Sequence, residues 1–159
     1  DTPHESEITT ARLKFKSPYN WRRMRLGDLV ECITAGESPV CEGRPAAQGE
    51  WGVLKLGAVS YGQFNPNESK AFLGDVESLK KVEVKPGDFL FSRKNTKELV
   101  GATVVVPKGI PRRLLLPDLI FRLDLIDSEI DAEYLHGLLK NAHKRTQLVA
   151  LASGSASSM

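Results

Sequence analysis

The stretch "VKPGDFLFSRKNTKELVGATVVVP", Val84 to Pro107, sets the polar run Ser92-Arg93-Lys94-Asn95-Thr96-Lys97 between Phe89-Leu90-Phe91 and Val104-Val105-Val106. Short runs of aromatic and β-branched residues fit a pleated surface that is covered, so both flanks are expected to be buried strands. The polar run is then a loop held by rigid walls. Upstream, Val82 and Val84 alternate toward a Pro86-Gly87 turn that re-aims the chain into the first of those strands.

Working outward, "WGVLKLGAV" (Trp51 to Val59) and "GQFNPNESKAFL" (Gly62 to Leu73) read as strands around Ser60-Tyr61, and Ala102 to Val106, Arg113 to Leu116 and Leu119 to Ile126 are further strands. The pieces between them are too short for repeated helical crossovers, so the sheet should be twisted and mixed or mostly antiparallel. Leu26, Leu29, Val30 and Ile33 form a helical stripe that stops at Ala35-Gly36, which predicts a short N-terminal helix. Leu135, Leu138, Leu139, Ala142 and Val149 recur at helical intervals, with acids at the start and Lys144-Arg145 further on, which predicts one long C-terminal amphipathic helix. The fold class is therefore α+β. Residues 1–18 are polar without a sustained apolar period and read as a leader or linker, 19–152 as the folded domain, and 153–159 as the start of a connector that is cut short.

With 41% hydrophobic and 26% charged residues in 159, the chain can bury a core of one domain. The formal charge is only +2, but the segment from Lys80 to Arg122 holds ten basic residues against four acidic ones, a local +6. Asp124, Asp127, Glu129, Asp131 and Glu133 follow with no Lys or Arg among them, so charge is polarised along the chain and a one-sided basic surface is expected. Cys32 and Cys41 lack a second pair at metal-ligand spacing, and no stretch approaches the roughly 18 apolar residues of a spanning helix. Neither a structural zinc site nor a membrane anchor is expected, and the absence of a disulfide framework suits a reducing cytoplasm.

Three short stretches resemble enzymatic motifs. "SPYNW" (Ser17 to Trp21) is similar to the Ser-Pro-Pro-Tyr element of DNA adenine methyltransferases, but it has one proline and no glycine-rich cofactor loop accompanies it. Asp75, Glu83 and Lys85 mimic a metal-dependent nuclease, which needs two carboxylates on a divalent metal and a lysine near the attacking water. An ion pair between Glu83 and Lys85 on one face of a strand competes with that reading. Ser153-Gly154-Ser155 has no nucleophile-elbow context.

Binding suits the polar loop better. Arg93 can fork onto guanine O6 and N7, Asn95 can bridge adenine N6 and N7, and Lys94, Thr96 and Lys97 can hold phosphates. A solvated hairpin tip is the competing reading. A general nucleic-acid or protein-binding adaptor stays open at this point as well.

Six landmarks then fall in one order: an aromatic with "RLGDL" (Trp21, Arg25 to Leu29), "ITAGESP" (Ile33 to Pro39), "VLKLGAVSYGQF" (Val53 to Phe64), "VKPGDFLFSRKNTKELVG" (Val84 to Gly101), "YLHGLLKNAHKRTQL" (Tyr134 to Leu148) and "ASGSASSM" (Ala152 to Met159). This order resembles the target recognition domain of a type I restriction-modification DNA specificity subunit, from Trp21 to the end. It departs from the family at Ala58, where an acid is common. The resemblance implies a non-catalytic domain that binds double-stranded DNA and reads one half of a bipartite target. It also implies partnership with methyltransferase (modification) subunits and a restriction subunit, and no cofactor in this chain. S-adenosylmethionine, ATP and magnesium would act only through those partners. The candidate DNA-binding residues are Arg93, Lys94, Asn95, Thr96 and Lys97, then Ser38 and Lys55 beside the other motif loops, Tyr61, and the pair Arg112 and Arg113.

Overall fold

The computed structural model describes residues 22–152. The expected leader over 1–18 and connector over 153–159 lie outside those residues. Seven strands form two sheets: β1 (Val30–Ala35), β7 (Ile120–Leu125), β4 (Phe89–Ser92) and β5 (Thr103–Val105) pair in that order, and β3 (Ser69–Phe72), β2 (Trp51–Leu54) and β6 (Leu114–Leu115) form the second. Every pair in the four-stranded sheet is antiparallel, while β2 pairs antiparallel with β3 and parallel with β6. The mixed character expected from the sequence is present, but it belongs to the smaller of two sheets.

The opening stretch works as read. Along β4, successive side chains alternate between faces: Leu90 packs with Val53, Leu54, Leu115 and Ile120 in a core between the sheets. Phe89 and Phe91 point the other way, against Leu123, Leu135 and Leu139. Strand β5 repeats the pattern, with Val104 in the first cluster and Val105 in the second. Around β4 the four-stranded sheet is thus covered on one face by the small sheet and on the other by a helix, which is why this inner strand carries an unbroken apolar run. Before it, Pro86-Gly87 makes the expected turn: Gly87 has φ 91°, and Asp88 accepts from the Lys85 amide at 2.9 Å. Burial of Asp88 pushes its carboxyl above the usual range, against the lowering effect of the Lys85 amide and Arg122.

Several local expectations change. The stripe Leu26, Leu29, Val30, Ile33 is not one helix: a 3-10 turn (Leu26–Leu29) runs directly into β1, where Ile33 faces solvent. Gly36 does not cap a helix; it lets the chain cross the backbone of Leu116, against which a Cβ would clash, and its amide donates to Pro117 O at 3.2 Å. Val82 closes a 3-10 turn (Lys80–Val82), and Glu83 makes a single bridge to Leu115 where a strand was expected. Lastly, the long C-terminal helix is two: α1 (Ala132–Lys140) and α2 (Ala142–Leu151). Asn141 is the break, because its backbone is extended (φ −61°, ψ 136°) and its side chain accepts from the His143 amide as the cap of α2.

Candidate nucleic-acid interface

Register decides which loops meet. In the antiparallel sheet Ala35 of β1 faces Phe121, and Ser92 of β4 faces Ile120, so β1 and β4 leave the sheet at the end where β7 enters. Ser92 also exchanges backbone bonds with Gly101 and Ala102, which brings in the start of β5. The loops after β1, after β4, before β5 and before β7 therefore share one end of the molecule. The chain around Ser60 joins them through Asn95, whose side-chain amide donates to Ser60 Oγ at 2.9 Å and Ser92 Oγ at 3.1 Å.

Asn95 is accordingly not where the sequence reading put it. It is only 7% exposed, and its carbonyl oxygen accepts from the Thr96 amide at 2.9 Å. Both ends of the group that would bridge adenine are used inside the protein, so Asn95 braces the loop and presents no base-reading edge. Ser92 is buried beside it.

Around this brace, Arg93, Lys94, Thr96 and Lys97 are exposed. The Arg93 guanidinium stacks 5.5 Å from the Phe121 ring centroid and donates to Asp118 O at 3.2 Å, which fixes its fork without cancelling its charge. Among the described residues Arg93 enters no ion pair. Glu98 is the acid of the loop; its own backbone amide and the Thr96 hydroxyl hold its carboxyl below the usual range, with Lys97 nearby adding to the effect. Ser38 reaches the same end and donates its hydroxyl to the Asp118 carboxylate. Tyr61 is 76% exposed, beside Gly62 with φ 78°.

Lys55 is on this side too, since it leaves β2 in the direction in which β6 runs to Asp118, but it pairs with Glu68 at 2.9 Å. Arg112 and Arg113 are not: they enter β6 beside the start of β2, at the opposite end of the small sheet. There Arg113 occupies a left-handed conformation (φ 69°), its amide donates to Glu83 Oε1 at 2.9 Å, and its guanidinium donates to Gly49 O. The pair lines an open groove of about 630 Å³ with Pro45 to Glu50 and Ser69.

Two residues at the loop end escaped the sequence reading. Asp118 and Phe121 hold Arg93 and Ser38 in place, and nothing local in "PDLIF" marks them, because their partners are 25 and 80 residues away in sequence for Asp118. The carboxylates of the nuclease reading are engaged elsewhere. Asp75 accepts from the Glu77 amide at 3.0 Å and Glu83 from the Arg113 amide. Among the described residues no group of three or more His, Cys, Asp or Glu side chains is placed to hold a metal ion. No described helix is long and apolar enough to cross a membrane.

The arrangement defines a class: a two-sheet α+β domain that presents one basic loop, braced from inside, among polar loops at one end. No protein-family model matches the chain. Over 145 residues, 91% of its length, it is 32% identical to the type I restriction enzyme EcoEI specificity subunit of Escherichia coli. The resemblance drawn from the sequence motifs is thereby shown, and the chain is a homologue of one segment of a type I restriction specificity subunit. It spans 24% of that relative's length.

Proposed function

We propose that this chain is a target recognition domain: a non-catalytic, DNA-binding part of a type I restriction-modification specificity subunit that reads one half of a bipartite target in double-stranded DNA. The observation that carries the reading is the convergence of Ser38, Tyr61, Arg93, Lys94, Thr96 and Lys97 on one end of the fold, where buried Asn95 ties the loop after β4 to the Tyr61 segment and Asp118 holds Ser38. A preorganised set of forked and point-charge donors meets base edges and phosphates at little ordering cost. Relationship to a specificity subunit supports the same assignment. In this reading the chain works in the cytoplasm with methyltransferase and restriction subunits, and those partners bring S-adenosylmethionine, ATP and magnesium. The chemistry of modification and cleavage is theirs.

The test is selection of duplexes from a randomised pool by the assembled complex. A split target should be enriched, and replacing residues 22–152 by the matching segment of the relative should change one half and leave the other. Enrichment of no sequence, or simultaneous change of both halves, overturns the assignment. The adaptor reading gives the first of those results.

A further inference from the structure

The backbone between β6 and β7 touches both loops that carry candidate reading residues. Gly36 donates its amide to Pro117 O at 3.2 Å, and the Ser38 hydroxyl donates to the Asp118 carboxylate while accepting from the Asp118 amide at 3.4 Å. On the other side, the Arg93 amide donates to Leu119 O at 3.0 Å and its guanidinium to Asp118 O at 3.2 Å. Three consecutive residues, Pro117 to Leu119, thus staple the loop after β1 to the loop after β4.

We infer that Asp118 is a specificity-determining positioning residue, which makes the Ser38 and Arg93 loops one rigid reading head without itself contacting a base. An acid at a DNA-facing end is otherwise a liability, because it repels phosphate. Here the carboxylate is turned onto Ser38, and its backbone, not its charge, meets Arg93. The guanidinium therefore keeps its full positive charge for DNA, while its position is set relative to Ser38. Losing the carboxylate removes the acceptor of the Ser38 hydroxyl and loosens that loop, which keeps its ties to the Pro117 carbonyl and to the Asp118 amide. Phosphate binding stays intact, so the loss falls on discrimination. The inference rests on the target-recognition reading above.

The experiment measures binding of the assembled complex to its selected duplex and to a scrambled one, for wild type and for Asp118→Ala, Asp118→Asn, Ser38→Ala and the double variant Ser38→Ala, Asp118→Ala. Asn keeps an oxygen acceptor for the Ser38 hydroxyl without the charge. Asp118→Ala and Ser38→Ala should each lower the selected-to-scrambled ratio about tenfold, with the double variant no worse than the weaker single one, as for two members of one contact. Asp118→Asn should stay within about threefold of wild type, and binding to scrambled DNA should not fall in any variant. Should Asp118→Ala fail to fold, the contrast between Ser38→Ala and Asp118→Asn carries the test. An Asn variant as poor as the Ala variant, losses that multiply in the double variant, or an unchanged ratio in Ser38→Ala would each overturn the inference. Wild-type complex with no preference for its selected duplex would instead remove the target-recognition reading.

Discussion

Asn95 donates its side-chain amide at 2.9 Å to the hydroxyl of Ser60, 35 residues earlier in the chain, and this bond closes the loop after β4 onto the segment that carries Tyr61. Ser60 in turn donates to Leu56 O at 2.7 Å, so the contact belongs to a buried chain of hydrogen bonds. Asn95→Ala leaves the Thr96 amide without its acceptor and the buried hydroxyls of Ser60 and Ser92 short of a donor. It should cost about 1–3 kcal/mol of stability. Denaturant unfolding measures this, and affinity for selected and scrambled DNA should fall by a similar factor. A change of base preference with unchanged stability would return Asn95 to the reading residues.

Lys94 and Lys97 are exposed point charges on the same loop. A phosphate satisfies either one anywhere along a duplex, so Lys94→Ala and Lys97→Ala should weaken selected and scrambled DNA alike. Each should make the slope of log affinity against log salt shallower by roughly one unit. Titrations at several salt concentrations check this; a slope unchanged in both variants would place the phosphates elsewhere.

Far from that end, Arg113 combines a left-handed backbone with a side-chain bond to Gly49 O. Arg113→Ala loses the side-chain bond and keeps the strained backbone, whereas Arg113→Gly loses the bond and relieves the strain. The Gly variant should be the more stable of the two by about 1 kcal/mol. Urea midpoints decide it. Both variants should keep wild-type DNA preference, because the site lies at the opposite end of β6 from Asp118.

Next to Gly49, Arg44 donates to both oxygens of Glu50 at 2.6 and 2.8 Å, and the Ala47 amide adds a third bond. Those contacts, the Arg44 side chain first, lower the Glu50 carboxyl to about 2. Glu50 binds its proton more weakly folded than unfolded, where the value is about 4.3, so its contribution to stability is complete above that value. It is lost as pH falls from there toward 2. Carboxyl NMR titration should show the low value in wild type and a rise toward the ordinary one in Arg44→Ala, with stability falling less steeply with acid in that variant.

The sequence carried the parts of this fold whose signals are local. Phe89-Leu90-Phe91 and Val104-Val105-Val106 are legible as buried strands because both faces of their sheet are covered, and Pro86-Gly87 is legible because only certain residues make that turn. Leu26, Leu29, Val30 and Ile33 misled, since a 3-10 turn followed by a strand meets the same spacing and leaves Ile33 exposed. Asn141 lay inside a helical period, where only its backbone angles reveal a cap. At the candidate site the difficulty was different in kind. Asn95 and Lys94 are adjacent polar residues in one run, and only a partner 35 residues away separates brace from exposed side chain. Arg112 and Arg113 belong to the same basic segment as Arg93, yet the parallel pairing of β6 with β2 carries them to the other end.

Arg93 is the residue on which base reading should turn, because its planar fork is exposed, uncancelled by an acid, and held by Phe121 and the Asp118 carbonyl. Lysine keeps the charge but has no fork, so the two substitutions separate charge from geometry. If the loop enters the major groove, Arg93→Ala should cost about 1–3 kcal/mol on the selected duplex and relax preference at one base position. Its loss on scrambled DNA should be the small one of a single phosphate-range charge. Arg93→Lys should restore binding to scrambled DNA fully and to the selected duplex only in part, leaving the same position relaxed. Thermal unfolding must accompany both, since loss of the Phe121 stack alone could loosen the loop. Equal recovery of both duplexes by lysine would mean that Arg93 positions the backbone of the DNA, and that the base is read from the neighbouring loops of Ser38 or Tyr61.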